Sequence, residues 1–585
     1  MGKVNLLPPE IISRIAAGEV IERPASVIKE LIENSFDAGT KSLDIHLKQA
    51  GKTYISIKDS GEGIQPEDIE KIFERHSTSK ISSITDLDSI CSLGFRGEAL
   101  YSIAAVSDIT LKSKTKDSES GWEIHLRGGE KLSSKPSGLF NGTEVEVKEL
   151  FFNTPARKKF LKSDNAEIRQ IINMVTPYTL IYPDCRILLT HHNKKVLDLP
   201  AEKGLIKRIE KVLNLNPENI IFAEGKLEQK GIKVKILLGD INIQRPRKDM
   251  QFVFVNSRPV QHHLVNFHLN KVYKLLLPPE TYPFFAVYIN LPPENVDVNA
   301  HPTKREVRIK NDHDIIALIR SLSEDKLINK SKPKQMGSIY ENRKKYPLSL
   351  EENTVLKEPG QIKGAYHTGN LSTPAQEEHR ILKSEETAPY GKNSYQEDLK
   401  SKLLSAQYAG AFLNKYLFFE SGESLLVIDQ HAAHERINYE ALLKQIKTGR
   451  VESQNLLSPE ILKITPQEKI VWEEMKDKLE KIGFSTTLWD NESISIQSYP
   501  IVINRPETAV RNILAEKENI LIDTDTLARR ACRKSIMAGD RITPKQALNL
   551  IAQLTKCADP FICPHGRPTV TEIKESVFEK QFLRK

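Results

Sequence analysis

The chain has 585 residues, with 85 Lys plus Arg against 77 Asp plus Glu, a net charge of +8. That length predicts roughly three or four domains, each able to bury a core, and the mild positive balance is compatible with a polyanion partner without requiring one. Five cysteines without a C-x-x-C pair argue against a disulfide framework, the first residues carry no signal-peptide core, and no apolar run approaches the roughly 20 residues a membrane span needs, so a cytoplasmic protein with no membrane attachment is expected.

From Met1 to Pro200 helices and strands alternate in an α+β pattern. The stretch after Pro24 reads as a helix: Val27, Ile28, Leu31, Ile32 and Phe36 form its apolar side, Pro24 fits the first turn and Gly39 the stop. Glu30, Asn34 and Asp37 recur at about one-turn intervals on the polar side. A carboxylate there can orient a water for attack on a phosphate, and the Asn34 amide oxygen suits a hard Mg²⁺ ion, although taken alone the face is also that of any solvated helix. The alternating run Tyr54–Lys58 predicts a strand that ends at Asp59, followed by Gly61 and Gly63, where backbone can approach a ligand closely. Gly94 and Gly97 flank Phe95 and Arg96 before a helical pattern, which places free N–H groups at a helix start, a natural anion site. Asn141-Gly142-Thr143 predicts a turn entering a strand, with the Thr143 hydroxyl available to a base edge.

Residues 201–330 predict a second compact α/β unit, with a buried strand over Gln251–Val255 and an alternating strand that ends at His301-Pro302-Thr303-Lys304. Over 331–394 apolar periodicity fades into Lys, Glu, Ser, Pro, Gly and Asn, which predicts a disordered linker. As a flexible coil of about 65 residues it spans roughly 45 Å root-mean-square. Residues 395–585 predict a third, α+β unit. There the apolar run Leu425–Ile428 ends at Asp429, and a helix from about Gln430 puts His431 and Glu435 at i and i+4 on one face. Imidazole and carboxylates suit Zn²⁺ or Mn²⁺, and Cys532, Cys563 and His565 downstream can complete one or two metal centres. The spacing is not the H-E-x-x-H of metalloproteases. Two basic clusters, Arg157–Lys159 and Arg245–Lys248, are candidates for salt-sensitive, sequence-independent phosphate contact as well as ordinary solvated faces.

The ordered motifs from Glu30 to Val145 resemble the GHKL ATPase family, an N-terminal ATPase sandwich. Ile15–Pro24, Arg75–Lys80 and Phe151–Lys158 are similar to its mismatch-repair branch, the MutL family, over Met1 to about Ile309. The resemblance implies ATP and Mg²⁺ as cofactors. It makes Glu30 the general base, Asn34 the Mg²⁺ ligand, Asp37 a further nucleotide-site residue and Asp59 the reader of the adenine amino group. Thr78, Ser79, Lys80 and Gly94 through Gly97 belong to the phosphate lid, Thr143 to the adenine side, and Lys304 reaches the γ-phosphate from the second unit. Asp429–Glu440, Ala531–Arg533, Cys563–Pro568 and Phe582–Arg584 resemble the endonuclease-type subgroup. That implies a latent metal-dependent nicking activity, with Asp429 and Glu435 catalytic and Asp429, His431, Glu435, Cys532, Cys563 and His565 as metal ligands or their neighbours. The implied partners are DNA without sequence preference, a second copy through the C-terminal domain, and the mismatch-recognition protein MutS, in a nucleoid-associated setting. Gln454–Pro459 resembles the short peptide by which repair proteins dock on the replicative sliding clamp. The alternative is an ATP-gated adaptor whose C-terminal metal is purely structural.

Overall fold

The computed structural model describes residues 21–81, 92–94, 97–138, 141–274, 276–277, 281–297, 307–310, 312–331, 392–515, 524–532, 542–582 and 584. Phe95, Arg96, Lys304 and linker residues 332–391 lie outside the described residues. At the edges of the expected linker, Ser331 closes the helix Asp312–Ser331 and residues 392–394 open the helix Lys392–Ser405, so its ends are helical.

The first unit is an eight-stranded sheet in the order Glu130–Ser137, Gly121–Arg127, Asp108–Lys114, Gly142–Lys148, Tyr54–Asp59, Ser42–Lys48, Arg186–His191, Lys194–Leu199. All pairs are antiparallel except Ser42–Lys48 with Arg186–His191. Alternation along the strands sends Leu43, Ile45, Leu47, Ile109, Leu111, Val145 and Val147 to a buried face. The helix Pro24–Asp37 has Pro24 at its start and Ala38 as its cap, followed by Gly39, whose φ of +71° suits glycine. It buries Val27, Ile28, Leu31, Ile32 and Phe36 in that core, and the helix Asp164–Ile181 adds Ile168, Ile171, Ile172 and Val175. Each such side chain contributes roughly 1.5–3 kcal/mol by leaving water. With its apolar side committed, the first helix has one face left to turn outward, the face that carries Glu30, Asn34 and Asp37.

A five-stranded sheet follows, ordered Arg258–Val260, Gln251–Val255, Phe285–Asn290, Ile232–Gly239, Ile220–Leu227, with Gln251–Val255 parallel to Phe285–Asn290 through the crossover helix His263–Tyr273. Beyond residue 392 two sheets form. Gln407–Phe412, Tyr416–Ser421, Ser424–Asp429 and Val570–Lys574 make an antiparallel set, and Ser453–Lys463, Ser493–Pro500 and Ser485–Asp490 make another. The helix Gln430–Lys447 leaves the strand Ser424–Asp429 directly, capped by that strand's last residue. The chain is thus mixed α and β throughout its described length.

Candidate functional site

A cavity of about 1990 Å³ opens on the polar face of the first helix. Glu30, Asn34, Asp37, Asp59, Gly61, Gly63, Thr78, Ser79, Lys80, Gly94, Gly97 and Thr143 all line it, although they come from five separate stretches of chain. Asp59, at the end of a central strand, is buried. Its Oδ1 accepts the Gly61 N–H at 2.9 Å and the Thr143 N–H at 3.3 Å, and its Oδ2 accepts the Ser35 hydroxyl at 2.9 Å. Burial pushes this carboxyl up and the three hydrogen bonds pull it back, with a net rise. The Thr143 hydroxyl meets Ser113 Oγ at 2.9 Å, and Ser113 also takes the Ile64 N–H, which binds the glycine turn to the adjacent strand. Gly63 has φ +80°, and a Cβ there would sit 2.3 Å from the Lys114 carbonyl oxygen, so the turn admits no larger residue.

On the opposite side, Lys80 Nζ lies 2.5 Å from Asp37 Oδ2 and 3.1 Å from Asn34 Oδ1, while Asp37 also accepts the N–H groups of Leu93 and Gly94 at 2.8 and 3.0 Å. Asp37 therefore acts as an anchor for the segments over the cavity. The Asn34 oxygen is of the type that would hold a hard cation, and here it accepts from the Lys80 ammonium. Glu30 is paired with Lys29 at 3.1 Å. Burial lowers the Lys29 ammonium, but Lys29 also pairs with Glu33, and the two carboxylates raise it overall.

A second constellation sits at the start of the helix Gln430–Lys447. Pairing of Val570–Lys574 onto Ser424–Asp429 carries the turn before it, Cys563–Arg567, to that helix. Glu435 is buried, with its Oε1 3.1 Å from His431 Nε2 and its Oε2 3.1 Å from His565 Nδ1. Burial pushes the Glu435 carboxyl up, but the two imidazoles win and hold it well below the usual range. Ligand atoms of Glu435, Cys563 and His565 all lie within 4.8 Å of one another. Burial raises the Cys563 thiol, and hydrogen bonds from His565 and the Arg567 N–H more than offset it. Asp429 caps the helix, its Oδ1 accepting the His431 and Ala432 N–H groups at 2.9 and 3.0 Å. Cys532, buried at the end of the helix Thr524–Cys532, stands outside the tight group; burial and then the Glu435 charge push its thiol up. Glu440, the second acidic position of the motif, turns elsewhere, to Arg436 and the N–H groups of Ala558 and Asp559.

Known proteins of the same build match along the whole chain. Residues 21–146 match the histidine kinase-, DNA gyrase B- and HSP90-like ATPase family, 215–327 the DNA mismatch repair protein C-terminal domain, and 409–542 the MutL C terminal dimerisation domain. The DNA mismatch repair protein MutL of Clostridium acetobutylicum is 33% identical, and that of Thermodesulfovibrio yellowstonii 35%, each over 100% of both chains. The chain belongs to the MutL family of DNA mismatch repair proteins. A solved structure, the Aquifex aeolicus MutL ATPase domain complexed with ADP, is 29% identical over 52% of this chain and 98% of that one, with a TM-score of 0.38.

Several residues of this MutL-family chain escaped the sequence reading. Lys29, Ser35 and Ser113 hold the expected site residues, and Glu33 joins the first helix to the helix Asp164–Ile181 by accepting the Tyr178 hydroxyl at 2.6 Å. Ser35, Ser113 and Glu33 carry no local signal, since Asp59, Thr143 and Tyr178 are distant in sequence, whereas Lys29 pairs locally, with its neighbour Glu30 and with Glu33 one turn on. Of the basic candidates, Lys158 and Lys159 are exposed, but Arg245 is buried against Glu468 and Asp249, which removes it as a phosphate contact. Among the described residues no helix is long and apolar enough to cross a membrane.

Proposed function

We propose that this mismatch-repair protein is an ATP-driven switch that also nicks DNA, with the two chemistries in separate units. The domain division that follows is 1–200 for the ATPase, 201–330 for the unit that supplies Lys304, 331–394 for the tether and 395–585 for dimerisation and cutting. In the first unit Glu30 positions the attacking water, Asn34 holds Mg²⁺, Asp59 and Thr143 read adenine, and the lid residues close on the phosphates. ATP binding draws two subunits of a homodimer around DNA, and hydrolysis releases them.

The observation that carries the nuclease reading is Glu435, buried between His431 and His565 with Cys563 beside it. A thiol with imidazole and carboxylate is a donor set for zinc, and the carboxylates of Asp429 and Glu435 suit Mn²⁺. Bound metal supplies Lewis acidity and an activated water at neutral pH. The protein's own part is to hold the donors: His431 and His565 orient the Glu435 carboxylate, and the Cys563–Arg567 turn fixes thiol and imidazole on one side of the helix. The Cys563 thiol also supports a second reading, a closed structural zinc in an adaptor that leaves cutting to another protein. Partner recognition is proposed for MutS and, through Gln454–Pro459, for the sliding clamp; Leu457 there is fully exposed.

Glu435→Lys and Asp429→Asn separate the readings. Both variants are expected to lose Mn²⁺-dependent nicking of supercoiled plasmid to background while keeping wild-type ATP turnover, and Cys563→Ser is expected to lose bound zinc by elemental analysis. Undiminished nicking in both carboxylate variants rejects the nuclease assignment.

A further inference from the structure

Arg258 belongs to the second unit, yet its guanidinium reaches into the first. It stands on the edge strand Arg258–Val260, just after a two-residue turn in which Asn256 and Ser257 both adopt positive φ, 46° and 61°. The turn is pinned by the Asn256 side chain, whose Nδ2 donates to the Leu291 carbonyl at 2.9 Å and whose Oδ1 accepts the Leu291 N–H at 3.0 Å. From this mount Arg258, only 5% exposed, donates Nη1 to the Leu93 carbonyl at 3.0 Å and Nη2 to the Ser92 carbonyl at 2.7 Å. The N–H groups of those same two peptide units, Leu93 and Gly94, donate to Asp37 Oδ1 and Oδ2 at 2.8 and 3.0 Å. Two consecutive peptide groups thus lie side by side between a two-pronged guanidinium and a two-pronged carboxylate. Each is polarised in the same sense from both ends, the arrangement in which charge-assisted hydrogen bonds reinforce one another.

We propose that Arg258 is a positioning residue for the nucleotide site, holding the segment Ser92–Gly94 against Asp37 and so tying the second unit to the nucleotide cavity. The inference rests on the ATPase reading above and goes beyond it, since Arg258 does not line the cavity and, among the described residues, hydrogen-bonds to the site through these two peptide groups. A lysine in its place keeps the charge but cannot span both carbonyls from one planar fork.

The test uses the full-length chain and its Arg258→Lys variant. Steady-state kinetics are expected to show the KM for ATP about tenfold higher with kcat within about twofold, as befits lost ground-state organisation of the site. Hydrogen exchange read by mass spectrometry is expected to speed up about tenfold at the Leu93 and Gly94 amides, which Arg258 does not touch, while the core strand Tyr54–Asp59 stays protected. If Arg258→Lys does not fold, Arg258→Gln is judged by the same criteria. An unchanged KM with unchanged exchange at those two amides overturns the proposal, as does a loss of rate that only tracks the folded fraction. A wild-type chain that hydrolyses no ATP overturns the ATPase reading instead, and the exchange measurement then still decides the role of Arg258.

Discussion

Glu30 and Asn34 lie one helical turn apart and are held differently, Glu30 by Lys29 and Asn34 by Lys80. Their substitutions should therefore separate. Glu30→Ala removes the proposed base and leaves the metal ligand, so turnover is expected to fall about 10²–10⁴-fold with ATP still bound, as equilibrium dialysis against turnover can show. Asn34→Ala is expected to weaken Mg-ATP binding itself. Steady-state ATPase that is undiminished in Glu30→Ala refutes the base assignment. Both residues could be read in the sequence because helical periodicity and an apolar face made of neighbours declare the polar side. Lys29 meets Glu30 and, at i+4, Glu33, a helical spacing that the sequence contains but that marks no site by itself, and Ser113 matters through the distant Thr143 hydroxyl and Ile64 N–H.

Elements explain the rest of each site. Gly97 has φ +62°, and a Cβ there would lie 2.5 Å from the Ser77 carbonyl oxygen, so the Gly97 backbone packs directly on that of Ser77. Gly97→Ala is expected to raise the Kd for ATP by about tenfold or more, at a local strain of order 1–3 kcal/mol, measured by nucleotide titration. The segment Gln454–Pro459, which reads equally as a proline-ended loop, instead belongs to the strand Ser453–Lys463, with a register break between Asn455 and Glu460. The break expels Leu457 into solvent and leaves Leu456 against the core, while the regular pairing ahead of it sets Gln454 opposite Tyr499, whose hydroxyl accepts from the Gln454 amide. Sequence could show the motif but not the bulge, which depends on pairing with Ser493–Pro500. Gln454→Ala with Leu457→Ala is expected to remove clamp stimulation of nicking and spare basal nicking and ATPase; stimulation equal to wild type rejects the docking role. The i, i+4 spacing put His431 and Glu435 together in advance, whereas Cys563 and His565 reach them only because Val570–Lys574 pairs with Ser424–Asp429. Asp429 carries a role that the motif does not signal, since its Oδ1 also caps the helix Gln430–Lys447.

At the scale of the molecule, the nucleotide cavity lies against the first unit's core and the Glu435–Cys563–His565 cluster in a unit with its own separate core. Alternation of helical and strand periods made this α+β division readable, because each unit must bury its own apolar faces. How the units communicate was not readable: the Arg258 bridge joins residues far apart in sequence through backbone carbonyls, which carry no side-chain signature. Both proposed activities reside on one chain. The most direct measurement is nicking of supercoiled plasmid by the purified full-length protein with Mn²⁺, with and without a sliding clamp, alongside its ATPase rate. Conversion to relaxed circles, stimulated by the clamp and absent in Glu435→Lys, is the predicted result, and normal ATP turnover with no relaxed circles under either condition contradicts it.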